Sequence, residues 1–361
     1  MAFVLMCGAS LAEEKALLSE LDWSGEAFLS EIGGFSFRGM IEALFRGESI
    51  NPADFLKSML RAAIDDFFPH VLSFMKEAAI PMIACLFLKI VLSGRQQVSH
   101  AANYCCRLAM LAVLAREFLI LQAITGELII KIVGATEAMV PILISALTLS
   151  GSHQSAIVMT PVSSLCTLIM QRILSGWGLA LCAGGAVMGL AANLPSTIKM
   201  GRLSALIRQL HRWLIGLLMT GFMGYLTIQG KLASGRDSVA VRTARFAIES
   251  IVPVVGGSVS DSLETLLSTA GVLRGAVGAT GMLVLLNMCL SPIFRLALMM
   301  FGFRLMAAIA EPTGNEAMVG MPEEIGKATE MLLVTSVAAM LLCVMLLGNC
   351  MVAANGSIQA G

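Results

Sequence analysis

Two short segments of the chain place a glutamate four residues before a proline. They are Ala135-Thr136-Glu137-Ala138-Met139-Val140-Pro141 and Ala247-Ile248-Glu249-Ser250-Ile251-Val252-Pro253, which share Ala, Glu, Val and Pro at the same offsets. A carboxylate in a membrane is costly and points to a function, and Pro- or Gly-interrupted helices at matching places in two halves are typical of transporter sites. The segments therefore predict a polar pathway formed by Glu137, Pro141, Glu249, Pro253, Gly256 and Gly257. The alternative is that both glutamates are helix-end charges at the water interface.

A basic stretch from 199 to 212 is the second candidate site. On a helical wheel its apolar residues cluster within about 100 degrees, and the basic residues outside that arc are Lys199, Arg202, Arg208 and Arg212. This pattern predicts an interfacial helix whose basic side chains each contribute on the order of 1 kcal/mol near anionic lipid. Nucleic-acid binding is the competing interpretation, but the interleaved leucines favour membrane lipids as partners and no nucleic acid.

The motifs of several enzyme classes are absent from the sequence. There is no Gly-x-x-x-x-Gly-Lys-Ser/Thr phosphate loop and no His-Glu-x-x-His zinc motif. Ser150 and Ser152 precede His153, but no carboxylate is placed to complete a hydrolase triad. The cysteines of the apolar segments show no Cys-x-x-Cys spacing and indicate small buried side chains. We therefore predict a protein that is not an enzyme and that holds neither a cofactor nor a metal.

Composition places these residues in a membrane. The chain of 361 residues is 57% hydrophobic and only 13% charged, whereas soluble domains carry roughly 25% charged residues. A hydrocarbon core of about 30 Å needs roughly 20 apolar residues per helix. The sequence predicts an all-α polytopic protein with seven to nine transmembrane helices. The windows are Val71 to Leu92, Ala101 to Ile124, Ala138 to Leu149, Ser155 to Ser175, Gly176 to Leu194, Trp213 to Ile228, Val272 to Ala310 (two spans broken at Pro292) and Met331 to Ala354.

Three regions are predicted along the chain. Residues 1–12 resemble the end of a secretory signal peptide without its basic start, or else a frayed apolar terminus. Residues 13–70 are acidic and amphipathic and are predicted to be extracytoplasmic, and residues 71–361 form the transmembrane domain. At an offset of 112 residues the two Glu/Pro segments align with each other, which suggests two related helical units at 98–195 and 210–307.

The charge distribution predicts an orientation. No acidic residue occurs between Ala138 and Gly235, where Arg172, Lys199, Arg202, Arg208, Arg212 and Lys231 are basic. By the positive-inside rule the 199–212 helix is cytoplasmic. If Ala138 to Leu149 counts as a full span, the acidic amino-terminal region and the Glu311 to Glu330 loop then lie outside.

Between Gly221 and Asp261 an apolar helix ends near Gln229-Gly230, a charge-striped helix from Asp237 to Glu249 follows, and Val252-Pro253-Val254-Val255-Gly256-Gly257 forms a break. With Val241-Arg242-Thr243-Ala244-Arg245-Phe246 and Ser260-Asp261, this stretch resembles the stage III sporulation protein AE family of endospore-forming bacteria. The similarity extends over about residues 70 to 355. It includes Asn287 to Pro292, Ala310-Glu311-Pro312 and Ile325-Gly326-Lys327.

The chain departs from the family pattern in three places. Arg245 stands where lysine is usual, Glu311-Pro312-Thr313-Gly314-Asn315 replaces a Gln-Pro-Leu-Gly-Asp-like run, and the amino terminus lacks a complete signal. The first change keeps the charge. The second leaves the role of that loop open, and the third leaves the start site open.

The resemblance implies a subunit of a sporulation channel or secretion-like complex in the mother-cell membrane around the forespore. In such a complex the ATPase and the ring-forming subunit are separate chains, and the assembly supports forespore development and late transcription. A stand-alone secondary transporter for a small solute is the alternative function.

Overall fold

The computed structural model describes residues 71–85, 96–149, 163–193, 201–251 and 256–352, together with a few single positions before 92 and at 161. These parts of the chain are helical and contain no strand, which confirms the all-α class. The predicted signal-like segment 1–12, most of 13–70, Lys199 and Pro253 lie outside the described residues.

The helices follow one another with short connections. They are α1 (71–85), α2 (Gln96–Leu149), a π-helix (Ile169–Gly178) that leads into α3 (Leu179–Ala192), α4 (Gly201–Ile251), α5 (Gly256–Ala310), a single 3-10 turn (Glu311–Thr313) and α6 (Glu316–Val352).

Four stretches of the described helices are long and apolar enough to cross a membrane. They are Ala101–Ala146, Ser163–Ala192, Val277–Ala310 and Glu316–Gly348. The chain is therefore a helical membrane protein. The predicted count of seven to nine spans is not confirmed.

The expected separation between Ala101 to Ile124 and Ala138 to Leu149 is wrong, because α2 is one helix of 54 residues. The charges that seemed to interrupt it are accommodated on its surface: Lys131 Nζ lies 2.8 Å from Glu127 Oε1, one turn away. The neighbouring Leu128, Ile129 and Ile132 are buried on the opposite side. An i,i+4 ion pair on an exposed face supports a helix rather than ending it.

The expected break at Pro292 is also wrong, since α5 runs through that residue from Gly256 to Ala310. Likewise, the apolar residues on both sides of Gly176 form one continuous helical stretch, in which the π-helix provides wider turns. Proline is tolerated in transmembrane helices because neighbouring groups and local adjustments satisfy the freed carbonyl.

Two hydrophobic cores lie one after the other along α6. One surrounds its 317–332 half and is built with α1, the first half of α2, α3 and the end of α5. The other surrounds its 338–347 half and includes residues 128–146 of α2, the π-helix, residues 215–226 of α4 and residues 277–289 of α5. Each half of α6 is therefore held by different parts of its neighbours.

The turn between α5 and α6 is closed by Gly314, whose φ of 62° is left-handed. Glycine adopts this conformation without a steric cost. Its backbone N–H donates to the Glu311 carbonyl at 3.1 Å, so that α5 and α6 form an antiparallel hairpin. α4, in contrast, runs in the same direction as α6, because Ser204 contacts Glu324 and His211 contacts Thr335.

Candidate functional site

The structure does not bring the predicted Glu/Pro residues together in one described site. Glu137 is exposed on α2 and Pro141 is half-buried inside the same helix. Glu249 lies in the last turn of α4, but its side chain is outside the described part, as is Pro253. Gly256 and Gly257 begin α5. The polar pathway stays a prediction.

The predicted basic helix forms the first part of α4. Its leucines are exposed, with Leu206 60% and Leu210 53% accessible, and Arg202 and Arg212 are also exposed. Arg208 differs, because its side chain turns toward α6 and is only 20% accessible. One basic residue of the helix thus has a partner inside the protein, and the lipid-facing role of the others stays a prediction.

That partner is Glu324. Arg208 Nη1 lies 2.6 Å from Glu324 Oε2, and the same oxygen accepts a hydrogen bond of 3.1 Å from the Ser204 hydroxyl. Arg208 also donates to the Ser204 oxygen. The other carboxylate oxygen, Oε1, lies 2.9 Å from Lys327 Nζ. Lys327 in turn reaches Glu323 Oε1 at 2.9 Å.

Glu324 is therefore the centre of a network that joins two helices. Both of its oxygens are engaged and its side chain is 16% accessible. Removing one partner of a buried ion pair costs about 3–5 kcal/mol because the other charge is left uncompensated. The network thus fixes the register of α4 on α6.

Farther along the same two helices, His211 is fully buried, and its Nε2 lies 2.8 Å from Thr335 Oγ1. Thr335 uses its single hydroxyl proton to donate to the Met331 carbonyl at 2.9 Å. Nε2 must therefore be the protonated nitrogen that donates to Thr335, which leaves Nδ1 as an acceptor. Nδ1 is buried without a hydrogen-bond partner, and burial lowers the pKa of His211 to about 4.

A cavity of about 200 Å³ opens beside this network. It is lined by Arg208, His211 and Arg212 of α4 and by Lys327, Glu330 and Met331 of α6. Three cations and a neutral imidazole thus surround one space between two helices that run in the same direction.

A second polar network lies beside the turn that follows α5. Arg107 Nη2 donates to Asn315 Oδ1 at 2.9 Å, and Asn315 Nδ2 donates to Asn103 Oδ1 at 3.1 Å. The Cys85 thiol donates to the same Asn103 oxygen at 3.1 Å. Asn315 therefore links the turn to α1 and α2.

In the described ranges no group of three or more His, Cys, Asp or Glu side chains could hold a metal ion. Reasoning from sequence did not identify Glu324 or His211, because each has its main partner on a distant helix. The only available signal was the similarity around Ile325-Gly326-Lys327, which places Lys327 in a family motif.

Comparison with known proteins agrees with the motifs around these networks. The model of the family described as "Stage III sporulation protein AE" matches residues 35–354. The chain belongs to the stage III sporulation protein AE family. The Glu324 network and the turn of Asn315 both lie within the part that the family model matches.

A curated family member is similar over nearly the same range. The stage III sporulation protein AE of Bacillus subtilis (strain 168) is 24% identical over 331 residues, which cover 88% of this chain and 82% of the relative. No solved structure matches this chain. The family membership supports a role in sporulation and a location in a membrane.

Proposed function

We propose that this protein is a non-enzymatic, multi-pass subunit of a channel or secretion-like complex in the mother-cell membrane around the forespore. In this role it links the two cells and supports forespore development and late transcription. The observation that carries the proposal is the family match over 35–354 in a chain with four apolar helices.

The apolar outer surface supports a role in a membrane-embedded assembly. Large apolar side chains are more than half exposed on several helices, including Leu119 on α2, Leu217 on α4 and Phe301 on α5. Such surfaces are covered either by lipid or by other membrane proteins. We propose separate ATPase and ring-forming subunits as the partners of this chain.

Purification from sporulating cells tests the proposal. A tagged copy that restores spore formation to a deletion strain is isolated in mild detergent, and its co-purifying proteins are identified. We expect the ATPase and ring-forming subunits to be enriched relative to an unrelated tagged membrane protein from the same cells. Normal sporulation of the deletion strain would contradict the role.

A stand-alone secondary transporter predicts a different result. The purified chain is reconstituted in liposomes without partners, and uptake of labelled small solutes is measured against protein-free liposomes. We expect no uptake above the control. Solute accumulation by the chain alone would contradict the subunit role and favour the transporter.

We also propose that the full chain has seven to nine spans, a 13–70 region outside the cytoplasm, and related units at 98–195 and 210–307. Within these units, Glu137 and Glu249 would form the polar pathway with the prolines that follow them. Glu249→Gln is expected to reduce spore yield at unchanged protein abundance, whereas an exposed glutamate on α2, changed as Glu127→Gln, serves as the control. Equal spore yields would favour ordinary helix-end charges.

A further inference from the structure

The cavity between α4 and α6 differs from the rest of the described structure because its wall combines several cations with an unpaired buried acceptor. Arg208, Arg212 and Lys327 supply the charges, and His211 supplies the acceptor. A space of about 200 Å³ has room for roughly six waters at about 30 Å³ each. It is smaller than the roughly 300–1,000 Å³ of sites for drug-sized ligands. Its size therefore suits a small polar group.

The ion pairs around the cavity leave one positive charge over. Lys327 and Arg208 share Glu324, Lys327 also contacts Glu323, and Arg304 Nη2 lies 3.0 Å from Glu330 Oε2. These four cations and carboxylate groups, with Arg212 added, give four positive and three negative charges. Within the described residues, no carboxylate lies at ion-pair distance from Arg212. A single negative charge would balance the site.

The position of the cavity along the helices indicates where that charge comes from. On α4, Arg212 is followed by an uncharged stretch from Trp213 to Gly230, and on α6, Glu330 is followed by an uncharged stretch from Met331 to Val352. The two helices run in the same direction, so both stretches begin at the level of the cavity. Trp213 is 72% exposed there, and exposed tryptophan is typical of the membrane–water interface. Lipid headgroups occupy this level.

We propose that the cavity binds the headgroup of a membrane lipid with one phosphodiester charge and a hydroxyl group. The phosphodiester supplies the missing negative charge beside Arg212, with Arg208 and Lys327 at the same wall. Arginine suits this role because its guanidinium can donate two hydrogen bonds to one phosphate. The hydroxyl group donates to Nδ1 of His211, which otherwise has no partner.

The test uses the full chain purified in detergent, with lipid binding measured by native mass spectrometry. Phosphatidylglycerol has both features of the proposed ligand, phosphatidylmethanol has the charge without the hydroxyl, and phosphatidylcholine has no net charge. Inorganic phosphate is a fourth probe, which separates a lipid source from a free anion. Arg212→Gln is the test variant. Arg202→Gln is its matched control, because Arg202 is exposed on the same helix and does not line the cavity.

We expect phosphatidylglycerol to bind at a defined stoichiometry and phosphatidylcholine to bind far more weakly. Loss of one basic charge, worth on the order of 1 kcal/mol near anionic lipid, should weaken phosphatidylglycerol binding about fivefold in Arg212→Gln and leave Arg202→Gln unchanged. Equal weakening in both variants would show general surface attraction and overturn the site. Competition by inorganic phosphate at millimolar concentration would overturn the lipid source.

The role of His211 is tested separately with His211→Gln, which retains a side-chain donor for Thr335. The wild-type chain should bind phosphatidylglycerol several-fold more tightly than phosphatidylmethanol, and the variant should bind the two lipids equally. A preference that persists in the variant, or its absence from the wild type, would overturn the assignment of His211. Thermal melting without lipid identifies any variant that is misfolded, and for such a variant His211→Asn replaces it.

Discussion

The backbone of Gly189 in α3 faces the side chain of Glu324 in α6 with no space between them. A Cβ at position 189 would lie 2.8 Å from Glu324 Oε2 and 2.9 Å from its Cβ. Glu324 cannot move aside because both of its oxygens hold cations. The glycine is thus what allows α3 to approach the ion-pair network.

Gly189→Ala is therefore expected to destabilise the protein by about 1–3 kcal/mol, the usual cost of overpacking. The matched control is Gly184→Ala in the same helix, where the new Cβ would lie 3.8 Å from Ile207 Cδ1. This control gains the helix propensity of alanine and should be no less stable than the wild type. Thermal unfolding in detergent measures both. Equal melting temperatures would contradict the close packing.

The pair of Arg208 and Glu324 is expected to show strong coupling. Glu324→Gln should cost about 2–4 kcal/mol because it leaves the guanidinium of Arg208 without a carboxylate. Arg208→Gln should cost less, since Lys327 still contacts Glu324. A double-mutant cycle should give a coupling of about 1–3 kcal/mol.

The control cycle uses Glu127 and Lys131, whose side chains are 65% and 49% accessible. An exposed i,i+4 pair contributes only about 0.3–0.5 kcal/mol. If both cycles gave the same small coupling, the Glu324 network would not hold α4 against α6.

Burial of His211 predicts a pH dependence of stability. Because the folded protein lowers the pKa of His211 from 6.5 to about 4, the unfolded chain binds a proton between these values and the folded chain does not. The free energy of unfolding should therefore fall as pH is lowered from 6.5 to 4, by up to roughly 3 kcal/mol, and change little above 6.5 through this group.

His211→Gln removes the titrating group and keeps a donor for Thr335. Thermal unfolding of the variant should lose this part of the pH dependence, while the contribution of carboxylates such as Glu330 remains in both proteins. Identical pH profiles for the two proteins would show that His211 is accessible to protons in the folded state.

Asn315 is expected to tolerate a carboxylate better than truncation. Asn315→Ala removes the acceptor of Arg107 Nη2 and the donor to Asn103, which should cost about 1–3 kcal/mol. Asn315→Asp restores an acceptor for the guanidinium and, by the resemblance, introduces the residue type that is usual in the family at this place. Its melting temperature should lie near that of the wild type. An aspartate variant as unstable as the alanine variant would contradict the importance of the Arg107 contact.

The orientation of the basic part of α4 can be tested by cysteine labelling. Ser204 is fully buried and bonded to Glu324, so a cysteine there would resist labelling on either side of the membrane. Arg202 is exposed, and Arg202→Cys is the informative variant. An impermeant thiol reagent should label it only after the cells are permeabilised, and the parent chain gives the background from native cysteines. Labelling of intact cells would reverse the predicted topology.

The apolar composition was sufficient to predict a helical membrane protein, and the motifs after 211 were sufficient to predict its family. The helix ends were harder to predict. Glu127, Lys131 and Pro292 all resemble interruptions in a linear sequence, yet the first two form an exposed ion pair on α2 and the third lies inside α5. Whether a charge or a proline ends a helix depends on its neighbours in space, which sequence periodicity does not reveal.

The Glu324 network could not be predicted for a related reason. Arg208 was grouped with three other basic residues by its position on a helical wheel, but the carboxylate that turns it inward is 116 residues farther along the chain. His211 likewise depends on Thr335. Local patterns identify which side chains carry charge, and only the packing of α4 on α6 determines which of these charges is neutralised.

The length of α2 sets how far the protein reaches beyond the bilayer. Its apolar stretch of 46 residues is about 69 Å long at 1.5 Å per residue. A helix tilted by about 40°, the upper end of the usual range, crosses a 30 Å hydrocarbon core with about 26 residues. About 20 residues, or roughly 30 Å of helix, therefore stand outside the hydrocarbon. Without any separate soluble domain, the transmembrane bundle itself rises above the lipid surface by about the thickness of the hydrocarbon core.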